Sequence, residues 1–140
     1  MIILDTNVLS ALMREPADRA VIAWLDGRPA ESLWTTAITV FEVRYGIGTL
    51  PAGKRRKMLE AAFEGMLAGD LGGRVLSFDD GAAAAAAVIA ARLRASGRPV
   101  DMRDVQIAGI AAARRGTVAT RNRRHFADAG IELVDPWRAA

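Results

Sequence analysis

Three acids carry the chemistry this sequence offers. Asp5 follows the aliphatic run Ile2-Ile3-Leu4, Glu42 lies in a helical stretch behind Leu33-Trp34-Thr35-Thr36, and Asp104 opens a helical stretch ahead of Thr117-Val118-Ala119-Thr120. In an open parallel sheet, ligands bind in the crevice outside the carboxyl ends of the strands, and all three acids fall at that rim. The polar run Thr120-Arg121-Asn122 leaves the fourth strand at the same edge. If the first and fourth strands are neighbours, Asp5 and Asn122 stand on facing walls of the crevice. Carboxylates ~4 Å apart repel by about 4 kcal/mol per pair at an effective dielectric near 20. Without a cation, some would stay protonated. A divalent ion removes the conflict, and Mg²⁺ typically takes one or two carboxylates while keeping waters and substrate phosphate oxygens. The chemistry that follows is metal-assisted hydrolysis of a phosphodiester.

Each acid also has a purely structural reading. Asp5 or Thr6 can cap the next helix by accepting from its free N–H groups. Thr39-Val40-Phe41-Glu42 fits a capping box, in which Glu42 reaches back to the Thr39 N–H. Asp101 and Asp104 share one face of a helical first turn, where the dipole favours negative charge. For Asp101 the cap is the stronger reading.

The elements that must position these groups follow from periodicity. Val8, Leu9, Leu12 and Met13 recur at helical spacing after the first strand; Asp18 caps a second helix with Val21, Ile22 and Leu25 as its buried stripe. The strand at 33–36 leads into the helix that holds Glu42. A helical stretch through Met58, Leu59, Phe63 and Met66 comes next, beginning with the basic turn Lys54 to Lys57, and Gly69 to Gly73 form a loop. Arg74 to Phe78 is a third strand, Asp79-Asp80 start an alanine-rich helix to Ala95, and Gly97 with Pro99 stop it. The helix from Asp104 ends near Gly116, the strand at 117–120 follows, Arg121 to His125 form a polar loop with Phe126 as a plug, and Ile131 to Val134 is a fifth strand. Strands separated by helices argue for a parallel sheet with helices on both faces.

Composition narrows the chemistry. The 140 residues suit one domain, half of them apolar and a quarter charged. With no cysteine and the single histidine His125, thiolate and histidine-cluster metal sites are excluded, and oxygen ligands favour Mg²⁺ or Mn²⁺. The start has no basic, long apolar leader, and no run reaches the roughly 18 apolar residues of a membrane span, so a cytoplasmic protein with no membrane partner is expected. The net charge is +3, with arginines bunched at Arg114-Arg115 and at Arg121, Arg123 and Arg124. That pattern permits a polyanionic partner. Gly46-Ile47-Gly48 lacks the context of a dinucleotide fingerprint, and no Gly-Lys-Thr phosphate loop is present.

Four motifs in order, Leu4-Asp5-Thr6-Asn7, Thr39-x-x-Glu42 with Tyr45-Gly46, Pro99 to Asp104 with Ile107-Ala108, and Thr120-Arg121-Asn122-x-x-His125-Phe126, resemble the PIN-domain ribonucleases. The similarity is greatest to the VapC-like and FitB-like toxins of bacterial toxin–antitoxin pairs and covers essentially the whole length. The resemblance implies a single PIN-like α/β domain over 1–140, three-layered, with a central, mainly parallel five-stranded sheet flanked by helices. It implies an endoribonuclease dependent on Mg²⁺ or Mn²⁺, with Asp5, Glu42 and Asp104 as metal-binding acids and Thr6 and Thr120 orienting them or the attacking water. Asn122 stands where the family commonly has a fourth acid; its amide can offer an oxygen but no charge, and Asp101 could compensate. His125 is read as loop structure in preference to a general acid. Arg121, Arg123 and Arg124 are candidate RNA contacts. The resemblance further implies a homodimer and a small antitoxin, docked around Trp24, Phe41 and Tyr45 unless these are core, with the complex able to sit on operator DNA. The competing functions are a catalytically weak or inactive RNA- or antitoxin-binding module, and a metal-dependent phosphatase. The phosphatase is disfavoured because Asp5-Thr6-Asn7 lacks a second acid two positions on.

Overall fold

Ile2-Ile3-Leu4 can be apolar throughout because the strand they form is covered on both sides. In the computed structural model, which describes residues 1–138, β1 (Ile2–Leu4) is the middle of a five-stranded sheet. Its neighbours are β2 (Leu33–Thr36) and β4 (Thr117–Ala119); β3 (Val75–Leu76) and β5 (Glu132–Val134) form the edges, and every pairing is parallel. The order is β3-β2-β1-β4-β5, so the chain turns back across β1 to reach β4. The first and fourth strands are therefore neighbours, and the winding of the chain reverses between them.

Successive strand residues point to opposite faces and separate two cores. Leu4 and Ala119 pack with α1 (Thr6–Met13), α2 (Arg19–Asp26), α3 (Ala37–Gly48) and α4 (Lys54–Gly65). Ile3 and Val118 pack with α5 (Asp80–Ala95), α6 (Met102–Arg114) and Phe126 of the four-residue α7 (Arg123–Phe126). The three layers are thus helices, sheet and helices. Among the described residues no helix is long and apolar enough to cross a membrane.

Four local expectations are corrected. The helix carrying Glu42 begins at Ala37, and its cap is Thr36, whose Oγ1 accepts from the Thr39 N–H at 3.0 Å. Glu42 therefore lies beyond the first turn and does not close a capping box; β2 ends on a threonine that takes the cap first. The third strand is only Val75–Leu76, because Arg74 turns its guanidinium onto the carbonyls of Leu33 and Ala30 and the chain leaves the edge for the Asp79 cap. The segment Met66–Asp70 continues from α4 as a π-helical turn that lets Leu71 reach the core, and only Gly72 and Gly73, both at positive φ, make the expected loop. The polar loop at Arg121 to His125 is half helical, since burying Phe126 winds Arg123–Phe126 into α7.

Candidate active site at the C-terminal rim

The parallel register of β1 with β4 places Asp5 and Thr120 side by side. The Asp5 N–H donates to the Ala119 carbonyl, and Thr35 Oγ1 donates to the Leu4 carbonyl at 2.9 Å, so the end of β1 is tied to both neighbours. Asp5 is only 6% exposed. Its Oδ1 accepts from the Thr6 N–H at 2.8 Å, while Oδ2 accepts from Thr120 Oγ1 at 2.8 Å and from Asn7 Nδ2 at 3.2 Å. It is the cap of α1 and a member of the rim at once. Burial pushes its carboxyl above the ordinary range, against the lowering pull of those three donors, Thr120 first.

Glu42 reaches the same rim from α3, where Thr6 Oγ1 donates to its Oε1 at 3.1 Å. Asp104 comes from the first turn of α6, which Asp101 caps by accepting from the Arg103 and Asp104 N–H groups. Burial is the largest cause raising both carboxyls. For Glu42 the charges of Asp5 and Asp104 add to it, and for Asp104 those of Asp101 and Asp5. The three acids thus feel one another. Two of them have partners from within the chain: Arg103 Nη1 lies 3.6 Å from Glu42 Oε2, and His125 Nδ1 lies 3.0 Å from Asp104 Oδ2. His125 is consequently not just loop structure. The turn of α7 presents its ring to the acid.

A cationic rim flanks the acids. Arg121, Arg123 and Arg124 line a cavity of about 670 Å³ with Asn122, Trp137 and Arg138. The Arg121 N–H donates to Asn7 Oδ1 at 3.0 Å, and the Asn122 N–H to Thr120 Oγ1 at 3.0 Å. Asn122 joins the network through its backbone; among the described residues its side chain bonds none of the acids. On the other side of Thr6 and Glu42 runs a larger groove of about 1060 Å³ between α1, α3 and α4, with Met13, Val43, Met58 and Leu59 in its walls.

Residues 2–132 match the PIN domain family. The chain is 43% identical over 140 residues to the VapC ribonuclease Y4jK of Sinorhizobium fredii, with all of both chains covered. Among solved structures it resembles FitAcB from Neisseria gonorrhoeae at 36% identity and a TM-score of 0.90, over 99% of this chain and 100% of that one. FitAB bound to IR36 DNA fragment matches equally well, over 100% of this chain and 98% of that one. This chain belongs to the PIN-domain family, with the VapC- and FitB-like toxins.

The acids of this PIN domain fit a hard divalent cation by their chemistry: oxygen donors, buried at Asp5 and half-buried at Glu42 and Asp104, raised in pKa first by burial and, at Glu42 and Asp104, by neighbouring carboxylates as well. Among the described residues no three acid or histidine side chains converge tightly enough to form a finished ligand set. One or two carboxylates with water would have to suffice, which is the usual habit of Mg²⁺. Asn7, Arg103 and Trp137 were not singled out by the sequence reading as site residues. Asn7 was within reach of it, since an amide two positions after a rim acid can bond back to that acid. Arg103 and Trp137 left no such signal.

Proposed function

We propose that this PIN domain, acting over 1–140 as one unit, is the toxin of a toxin–antitoxin pair: an endoribonuclease of the cytoplasm that hydrolyses RNA phosphodiester bonds with Mg²⁺ or Mn²⁺. The observation that carries this reading is the meeting of Asp5, Glu42 and Asp104 from three separate elements at one sheet edge, each carboxyl raised by burial, and those of Glu42 and Asp104 also by neighbouring carboxylates. The relative named a VapC ribonuclease supports it. Asp5 and Asp104 would hold the cation first and Glu42 would assist. A bound cation supplies charge for the phosphodiester oxygens and lowers the pKa of its water toward neutrality.

The chain's own side chains prepare that chemistry. Thr120 and Asn7 fix the plane of the Asp5 carboxylate through Oδ2, and Thr6 does the same for Glu42. Arg103 lies beside Glu42 as a counter-charge, and His125 Nδ1 holds Asp104 by a hydrogen bond. Asn122 can contribute an amide oxygen, and Arg121, Arg123 and Arg124 receive the RNA backbone.

The FitAcB and FitAB–DNA structures support an antitoxin partner and an operator complex for this chain as well. The groove beside Thr6 and Glu42 suits the antitoxin segment, because Met13, Val43, Met58 and Leu59 give it an apolar wall, Arg14, Lys54 and Arg55 line it with charge, and it reaches Glu42 of the rim. Phe41 and Tyr45, 57% and 61% exposed and stacked at 6.0 Å, extend that surface or serve a homodimer; Trp24, at 6% exposed, is core and drops out.

The decisive experiment is cleavage of a panel of structured RNAs by purified protein with Mn²⁺, with EDTA, and with Asp5→Asn or Asp104→Asn. Cleavage should need the metal and both acids. Cutting that survives EDTA or both substitutions overturns the assignment. The internal pairing of Glu42 with Arg103 and Asp104 with His125 favours a second reading, a catalytically weak RNA- or antitoxin-binding module. RNA bound but uncut by folded, Mn²⁺-loaded protein would establish it.

A further inference from the structure

The cations of the rim are not held alike. Arg123 and Arg124 stand exposed on α7, whereas the Arg121 guanidinium carbon lies 4.2 Å from the centroid of the Trp137 ring. That ring is itself anchored. Its Nε1–H donates to Asp18 Oδ2 at 3.0 Å, the Trp137 N–H donates to Asp135 Oδ1 at 2.9 Å, and the side chain packs partly into the core on the α1–α4 side. Asp18 is further committed to the N–H groups of Ala20 and Val21. Among the described residues Arg121 forms no ion pair. An arginine stacked on a fixed ring and lacking a carboxylate has given up its rotamer freedom before any ligand arrives, while its N–H fork remains available. Its backbone N–H is bonded to Asn7, which is bonded in turn to Asp5. The backbone at Arg121 is therefore tied to the network of the acids, while its fork is held over Trp137, on the side of Asp18.

We propose that Arg121, seated on Trp137, takes a phosphate of the bound RNA on the cationic rim that flanks the acids, and that Trp137 is a positioning residue that sets the plane of the fork. This rests on the ribonuclease reading of the same rim. A planar guanidinium suits two oxygens of one phosphate, and a preset plane selects where along the backbone that phosphate lies. Single-stranded RNA is favoured over an acidic peptide because Arg123, Arg124 and Arg138 line the same cavity as Arg121, a set of cations suited to a run of backbone phosphates.

The test is binding of a labelled single-stranded oligoribonucleotide to the full chain in EDTA, followed by anisotropy over a salt series, with cleavage kinetics in Mn²⁺ alongside. Arg121→Gln should weaken Kd roughly tenfold and flatten the slope of log K against log salt by ~0.7, the loss of one phosphate contact. Trp137→Leu changes no charge, yet should flatten the slope by the same amount, and Trp137→Phe should restore it. The double variant should be no weaker than Arg121→Gln alone. In Mn²⁺ the losses should fall mainly on KM. A Trp137→Leu slope equal to the parent's, or additive losses in the double variant, overturns the proposal. Loss of acidic-peptide binding with an unchanged RNA slope in Arg121→Gln does the same. Should Trp137→Leu fail to fold, Arg121→Lys decides: charge without the fork should cost several-fold in affinity, and parental affinity refutes the fork. Parent protein that neither binds nor cuts RNA would sink the ribonuclease reading itself, whereas a cutting parent with a wrong salt slope sinks only the fork.

Discussion

Gly109 lies in the middle of α6, where that helix presses on α5, and Gly109→Ala tests whether this contact sets the position of Asp104. A Cβ at 109 would sit 2.6 Å from the Ala82 carbonyl oxygen, 2.6 Å from the Ala86 Cβ and 2.8 Å from the Ala86 nitrogen. Two of these are backbone atoms of the facing helix and cannot rotate away, so the helices must separate. Helix propensity opposes the loss, since alanine is better than glycine by about 1 kcal/mol in a helix interior. Overpacking a tight contact costs about 1–3 kcal/mol, and a backbone clash belongs at the upper end. The balance is a net loss of about 1–2 kcal/mol, or roughly 3–8 °C in Tm for a chain of this size. Asp104 sits little more than one turn nearer the start of α6, so the displacement also draws it away from Asp5 and should lower RNA cleavage more than the stability loss explains. Urea unfolding and thermal melts measure the first effect, and single-turnover cleavage below the melting range measures the second. Gly46→Ala is the control: it is helical and exposed, and no atom lies within 4 Å of its Cβ, so it should be neutral or more stable by about 0.5–1 kcal/mol. A Gly109→Ala protein as stable as the parent, with the same m-value, would refute the close contact as the determinant of α6.

Three further outcomes follow from the rim. The folded metal-free protein holds protons on Asp5, Glu42 and Asp104 that the unfolded chain has released, because all three carboxyls are raised. Its stability should therefore fall as pH rises from the ordinary carboxylate range, near 4, through the raised values, and Glu42→Gln should flatten part of that fall; urea titrations that show a rise across this window contradict it. Mn²⁺ should relieve the same repulsion, adding about 2.7 kcal/mol at a hundred times its Kd, and thermal melts of Asp5→Asn and Asp104→Asn should lose most of that gain. Thr120→Val removes the donor that most lowers the Asp5 pKa and the acceptor for the Asn122 N–H, both at a buried hydroxyl. It should cost about 1–3 kcal/mol in urea unfolding and most of the cleavage activity; a stable, fully active variant would show that Asp5 needs no such orientation.

What the sequence determined by itself was the alternation of elements and the family. Ile2-Ile3-Leu4 reads as a strand covered on both faces, Asp18 and Asp101 read as caps and are caps, the helix read as starting at Asp79-Asp80 does so with Asp79 as its cap, and a parallel sheet follows from strands divided by helices. These signals are local: a cap and its helix, or a strand and its alternation, lie within a few residues, so composition and spacing record them. The same locality misled at Glu42, where a capping box was written in the sequence but Thr36, held by the end of β2, took the cap. Tertiary structure alone decided which side chains meet at the rim. Thr120 reaches Asp5, Arg121 reaches Asn7, and Trp137 reaches both Asp18 and Arg121, each across more than a hundred residues or between segments with no shared periodicity. His125 is the plainest case, a loop histidine by pattern that burial of Phe126 winds onto α7 and turns against Asp104. Such pairings depend on strand order and on how far each helix is pressed toward its neighbour, and the chain carries no local mark of either.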